Sequence, residues 1–407
     1  MKLAFVVQRY GAGIAGGSEG HCRELAERLS SRHEIIVLTT CARDYVTWEN
    51  ELPAGRSTEN GVTVLRFPVA RPRRMKIFAD LSDEVFDGGA PRDRQEEWFR
   101  ENGPDTPGLL EHLRTHGREF DLVVFWTYRY FQSYFGLPLV ADRAVLVPTA
   151  EEDAAINLDV LPDFFDKPAG YLFLTPEEEQ LVSSRAYRPL RPAVVAGIGL
   201  QPAPEARPSR APIEALQLPA KYLLYLGRVD RNKGCDALLE NFQEYAATRP
   251  DATLVLAGPA KMQIPEHRQI RALGYVSDEV REALLAHAQA LVVPSWYESL
   301  SIVLLEAWNY AVPALVNGRC KVLAGQVARA NGGLNYMFPA EFDEAADYLL
   351  TRPTERAALG RQGLAYVDRE YRWPVVLSRV EGLFEEVRAT RSPTQRTRTG
   401  RHSTDTP

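Results

Sequence analysis

Residues 3–39 read LAFVVQRYGAGIAGGSEGHCRELAERLSSRHEIIVLT, and their pattern decides the fold class. Residues 3–8 form an apolar run, residues 18–29 carry Cys22, Leu25, Ala26 and Leu29 at helical spacing, and residues 33–39 form a second apolar run. Strand, glycine loop, amphipathic helix and strand in that order make a β-α-β unit, which implies a parallel sheet. Outward from it, strands are expected at 62–67, 122–125, 145–148 and 171–174. Between about 70 and 116 the alternation gives way to charged, Pro- and Gly-containing sequence too long for a simple connection, read as a helical excursion over the mouth of the first lobe.

The stretch QPAPEARPSRAPIEALQLP, 201–219, is rich in proline, and residues before proline resist helix, so a domain boundary is expected near Leu200. After it the alternation restarts, with strands at 222–226, 252–257, 270–274, 290–293 and 313–316 and helices at 236–248, 277–288 and 301–310. The expectation is an α/β protein of two facing Rossmann-like lobes with a cleft between them: 1–200, joined by a returning helix at about 373–389, and 201–372. The tail 391–407 has almost no large apolar residue and is expected to be disordered.

Composition bounds the function. The chain has 407 residues, more than one ordinary core holds, with 45% hydrophobic residues to fill two. A net charge of -6 argues against nucleic acid as the main partner, because phosphate-backbone binding needs a broad positive surface. Cys22, Cys41, Cys235 and Cys320 form no CxxC pair and read as reduced thiols of a cytoplasmic protein. The first apolar run is too short for a signal peptide, and no apolar stretch reaches the ~18 residues of a membrane span, so any membrane contact is expected to be peripheral.

The run Ser295-Trp296-Tyr297-Glu298-Ser299-Leu300-Ser301-Ile302-Val303-Leu304-Leu305-Glu306-Ala307 follows a buried strand and enters an apolar helix. It places two carboxylates at the carboxyl end of a parallel strand, where open α/β sheets bind ligands. Glu306 among leucines is costly unless it accepts hydrogen bonds, and ribose hydroxyls would supply them. Were the segment wholly helical, Glu298 and Glu306 would stand about 12 Å apart, a span suited to an extended sugar nucleotide. A solvated loop acid and a helix-surface acid are the plainer alternative. In Leu226-Gly227-Arg228-Val229-Asp230-Arg231-Asn232-Lys233-Gly234, Arg228 and Lys233 bracket a turn, and two cations with backbone amides suit a diphosphate; an exposed basic turn would look the same.

Gly227-Arg228…Lys233-Gly234 together with Glu298…Glu306 resembles the family-4 glycosyltransferases, whose two-lobe fold is called GT-B. The glycine loop before Ser18-Glu19 and Gly274-Tyr275-Val276-Ser277 extend the resemblance over both lobes, to about Ala389. It implies retaining transfer of a hexose from a nucleotide-diphosphate sugar by front-face attack, without metal or other cofactor. Arg228 and Lys233 would then contact the diphosphate, Glu306 the ribose, Glu298 the donor sugar, and the amides of Leu300 and Ser301, beside Ser299, the same region. The backbone at Val276 would meet the base, and Gly16 and Gly17 would let the first lobe approach the donor phosphate. The acceptor would be a carbohydrate, lipid-linked or small-molecule hydroxyl bound by the first lobe.

One departure stands out. Where many relatives carry histidine, this chain has Val147-Pro148-Thr149-Ala150-Glu151-Glu152-Asp153, so Glu151 is the acceptor-side candidate; the acidic run reads equally as a solvated helix start. A nucleotide-sugar hydrolase or epimerase of the same fold, and a non-catalytic sugar-nucleotide binder, are the rival readings.

Other motifs carry less. Residues 11–16 spell G-x-G-x-x-G, but the second strand ends Leu38-Thr39-Thr40-Cys41 without the acid that a dinucleotide ribose needs. Residues 16–20 spell G-x-S-x-G, yet Ser18 reads more simply as a helix N-cap than as a nucleophile. No D-x-D occurs, and His112 and His116 form no HExxH, so metal use is not expected. Residues 70–78, with Arg71, Arg73, Arg74 and Lys76, would suit an anionic acceptor or headgroup surface, or be a solvated basic loop.

Overall fold

The computed structural model describes residues 1–14 and 16–391; most of the tail expected to be disordered therefore lies outside the described residues. It divides the chain into two units, one of Met1–Ala196 with the residues from Leu377 onward, the other Gly197–Val376.

The first unit holds β1 (Lys2–Val6), β2 (Glu34–Thr40), β3 (Gly55–Glu59), β4 (Val62–Phe67), β5 (Leu122–Trp126), β6 (Ala144–Val147), β7 (Gly170–Phe173) and β8 (Ala193–Val195). They form one sheet in the order β3-β4-β2-β1-β5-β6-β7-β8. All neighbours are parallel except β3, which lies antiparallel on β4 at the edge. Its sequence, GRSTE, is polar and largely exposed, as suits an edge that must not recruit other strands. Every residue of β5, β6 and β7 is buried, because helices cover both faces of a parallel sheet. The excursion is helical, at Met75–Phe86, Arg92–Asn102 and Pro107–His116. Trp98, Phe99, Leu109 and Leu113 from these helices join Val123, Phe125 and Leu146 of the sheet in one hydrophobic core.

Three arginines of the basic segment are spent inside this unit. Arg71 and Arg74 both pair with the buried Glu101, and Arg73 donates to the Asn102 carbonyl while stacking over Trp48 and Phe78. These contacts tether the segment while Arg74, Met75, Lys76 and Ile77 stay exposed, so the expected solvated basic loop holds in part: long cationic side chains cover apolar surface when an acid lies within reach.

The second unit holds β9 (Leu223–Leu226), β10 (Leu254–Ala257), β11 (Ile270–Gly274), β12 (Ala290–Val293), β13 (Ala314–Asn317) and β14 (Gly333–Tyr336). The sheet is parallel throughout, in the order β11-β10-β9-β12-β13-β14. Counted within the unit this is 3-2-1-4-5-6, the doubly wound order, in which the chain leaves the sheet centre one way and returns on the other side. Its core joins Leu223, Leu254, Leu256 and Val292 to Leu238, Phe242 and Phe342 of the covering helices. The four cysteines are buried and unpaired. Among the described residues no helix is long and apolar enough to cross a membrane.

Candidate functional site

In the second unit the winding reverses between β9 and β12, the place where open α/β sheets bind ligands beyond the carboxyl ends of their strands. The loops leaving these two strands carry the motifs. After β9, Asp230 caps the tight turn Arg231–Lys233 by accepting from the Lys233 amide at 2.9 Å, and its other oxygen pairs with Arg228 Nε. One carboxylate thereby fixes both cations. Sequence reading quoted Asp230 without giving it a role, although an aspartate ahead of a short basic turn is a capping signal.

The turn ends at Gly234 in the left-handed conformation, φ 71°. A Cβ at this position would stand 2.2 Å from the Pro294 carbonyl oxygen, so the two loops touch backbone to backbone only because residue 234 is glycine. Beyond Pro294 the second loop is pinned from the neighbouring strand: Asn317 Nδ2 donates to the carbonyls of Pro294 and Ser295 at 3.2 and 3.4 Å. The Glu298 amide hydrogen-bonds to Cys320, whose thiol burial pushes up to about 11. The outcome is an ion pair between the two loops, Lys233 Nζ to Glu298 Oε1 at 2.8 Å, the lysine more open to solvent than the acid.

Glu306 is placed differently. The helix begins only at Ile302, with Ser301 at its cap, so Glu298 belongs to a loop and the segment is not the continuous helix considered above. Glu306 sits on that helix and pairs with Arg281 of the helix Asp278–His287. Burial raises its pKa and Arg281 opposes the rise. The Ser301 hydroxyl is buried without a hydrogen-bond partner, while its amide donates to Gln326 Oε1 at 3.4 Å. Leu300 is buried, and Val276 stands half-buried between the end of β11 and the Ser277 cap of the next helix.

In the first unit the corresponding reversal lies between β1 and β5. Gly16 and Gly17 are exposed at the start of the helix Gly17–Leu29, and Gly16 is the capping residue. Ser18 therefore does not cap the helix: it accepts from Gln8 Nε2 at 3.1 Å and donates to Glu19 Oε2 at 3.0 Å. Glu19 forms a buried pair with Arg9, Nε to Oε1 2.8 Å, and the same guanidinium donates to the Arg43 carbonyl. Nothing in the spacing of Arg9 and Glu19 announced this pair, because a glycine loop of unknown path separates them. His21, one turn of chain further on, accepts from Trp126 Nε1 at 3.3 Å, and burial lowers its pKa to about 4.

Glu151 is half-buried beyond β6, within electrostatic reach of Tyr128 and Arg129. Its neighbour Asp153 pairs with Arg129 at 2.6 Å, and the Ala150 amide donates to the buried Glu178 at 2.7 Å. Glu178, whose pKa burial raises to about 8, also receives the Leu174 and Thr175 amides. The stacked His112 and His116 rings, 4.6 Å apart, lie on the excursion's third helix.

Residues 220–351 match the domain model described as glycosyl transferases group 1. An uncharacterized glycosyltransferase of Methanocaldococcus jannaschii is 24% identical over 339 residues, covering 78% of this chain and 80% of that protein. Other curated relatives are matched over less than half of their own length. Among solved structures, alpha,alpha-trehalose 6-phosphate synthase of Burkholderia multivorans aligns with a TM-score of 0.74 at 15% identity, over 96% of this chain and 100% of that one. Anabaena HepE in complex with UDP and glucose aligns with a TM-score of 0.67 at 12% identity, over 95% and 100%. The structural neighbours give the fold as GT-B, and the matched domain together with the relatives makes this chain a glycosyltransferase.

Proposed function

We propose that the enzyme is a metal-independent, retaining hexosyltransferase that takes a nucleotide-diphosphate sugar in its second unit and an acceptor hydroxyl in its first, as a member of family 4. The observation that carries this reading is the Lys233–Glu298 pair at the reversal of the second sheet, with Arg228 held alongside by Asp230. A departing diphosphate develops negative charge, and two preorganised cations stabilise it without waiting for water or a metal to reorganise. Glu298, paired with Lys233, accepts hydrogen bonds from hydroxyls of the transferred sugar and fixes its orientation. Glu306 takes the ribose hydroxyls, the backbone at Val276 meets the base, and the amides around Leu300 and Ser301 complete the donor site. Gly16 and Gly17 serve the donor phosphate.

With both leaving group and attacking hydroxyl on one face of the sugar, the product keeps the donor's anomeric configuration. The glycosyltransferase relatives favour transfer over hydrolysis or epimerisation, and the UDP complex of a structural neighbour makes UDP sugars the first donors to try. The acceptor is a carbohydrate, a small molecule or a lipid-linked sugar reached from the cytoplasmic side. Calorimetry of Lys233→Ala and Glu306→Ala against UDP, GDP, ADP and dTDP tests the donor site. Both variants are expected to fold and to bind the preferred diphosphate more weakly; affinities unchanged for every nucleotide would overturn the assignment. The anomeric configuration of the product, read by NMR, tests retention.

A further inference from the structure

Two threonines in the first unit hold backbone conformations that β-branched residues avoid. Thr127, directly after β5, has φ 65°, and Thr149, just beyond β6, has φ 47°. Glycine or asparagine adopts this region at little cost; a β-branched residue there is strained and persists only where its surroundings impose it. The surroundings do so here. The two strands are parallel neighbours, Trp126 beside Val147. The Thr127 amide donates to the Val147 carbonyl at 2.9 Å and the Tyr128 amide to that of Pro148 at 3.1 Å. Arg129 pairs with Asp153, so the two loops are tied at three places, and Glu178 of the helix Pro176–Ser183 holds the Ala150 amide of the second.

The threonine hydroxyls face each other, Thr149 Oγ1 donating to Thr127 Oγ1 at 2.9 Å. Among the described residues no acceptor takes the remaining hydroxyl hydrogen of Thr127. Thr127 is buried at the carboxyl edge of a parallel sheet, where ligands bind, on the loop pair that also carries the half-buried Glu151. A hydroxyl donor and a carboxylate acceptor on one rigid edge match neighbouring hydroxyls of a polyol.

We propose that Thr127 and Thr149 form a strained recognition pair for a polyhydroxylated acceptor, Thr127 donating to one acceptor oxygen while Thr149 holds it in place. This rests on the reading of the first unit as the acceptor side. A turn with only a structural duty would be relieved of its backbone strain by glycine at these positions.

The test uses the full-length chain and its Thr127→Gly, Thr149→Gly and Thr149→Ser variants. Thermal unfolding, calorimetric affinity for UDP and GDP, and binding of glucose, mannose and myo-inositol by saturation-transfer NMR are measured for each. The glycine variants are expected to unfold no earlier than wild type and to hold the nucleotide as tightly, yet to bind the polyol at least about tenfold more weakly; Thr149→Ser, which keeps the hydroxyl, recovers it. Glycine variants that unfold earlier, or that keep polyol affinity, overturn the proposal, as does a wild type that binds none of the three polyols. Absence of nucleotide binding in every protein would overturn the donor assignment instead, while the unfolding and polyol measurements still decide the threonine pair.

Discussion

Lys233 and Glu298 lie 65 positions apart in the chain and their charged atoms meet at 2.8 Å. The contact exists because β9 and β12 are neighbours at the point where the sheet reverses, and because Gly234 lets one loop rest on the Pro294 carbonyl of the other. In the double-mutant cycle of Lys233→Ala and Glu298→Gln, the pair is expected to show a coupling of about 1 kcal/mol in unfolding free energy, modest because both groups keep some contact with water. Lys233→Ala should also lower diphosphate affinity by about tenfold or more, since a charge-assisted contact is lost; denaturant unfolding reads the coupling and titration calorimetry the affinity.

Gly234→Ala probes the contact between loops. The new methyl group would need a left-handed backbone and the space of the Pro294 oxygen, 2.2 Å away. A loss of more than about 1 kcal/mol of stability is expected, with weaker nucleotide binding, because the loops must separate. Denaturant unfolding checks it, and an alanine variant as stable as wild type would contradict the packing described.

His21 gives a stability change with acid. Its pKa falls from 6.5 to about 4 on burial, so the folded protein binds fewer protons than the unfolded chain between those values. The stabilisation is complete above 6.5 and is lost as the pH falls through the folded value. The contribution amounts to about 3 kcal/mol. His21→Gln should flatten this part of the curve of unfolding free energy against pH.

Arg281 offers the opposite sign. Burial raises the Glu306 pKa and Arg281 restrains it, so Arg281→Ala leaves a carboxylate whose ionised form is poorly compensated. A raised acid favours the fold at low pH and costs stability as the pH rises through its folded pKa. The variant should therefore lose more stability relative to wild type at pH 8 than at pH 5, by about 1–2 kcal/mol for a pair still partly open to solvent. Equal losses at the two pH values would count against a buried, paired Glu306.

Metal independence has a direct readout. With Arg228 and Lys233 supplying the charge on the leaving diphosphate, turnover should be unchanged in excess EDTA and unstimulated by magnesium or manganese. Loss of activity in chelator, restored by a divalent ion, would show that the two cations do not suffice.

The sequence by itself determined the alternation that makes both sheets, because apolar runs and period-2 alternation mark strands: residues 62–67, 270–274 and 290–293 are strands to the residue, of which only 290–293 is buried throughout. It missed β3, β8 and β14, since GRSTE at an edge, three half-buried residues and the four residues of β14 are each too short or too polar to stand out. It also marked Arg228, Lys233, Glu298 and Glu306, through spacing around strand ends. Only the tertiary structure decided that Lys233 meets Glu298, that Glu306 instead meets Arg281, that Asp230 governs both cations, and that Arg9 and Glu19 pair under the glycine loop. The physical reason is that periodicity reports which face a residue buries over a few turns of chain. A charge partner is selected by strand order and by how closely two loops can approach, and both are properties of the assembled sheet.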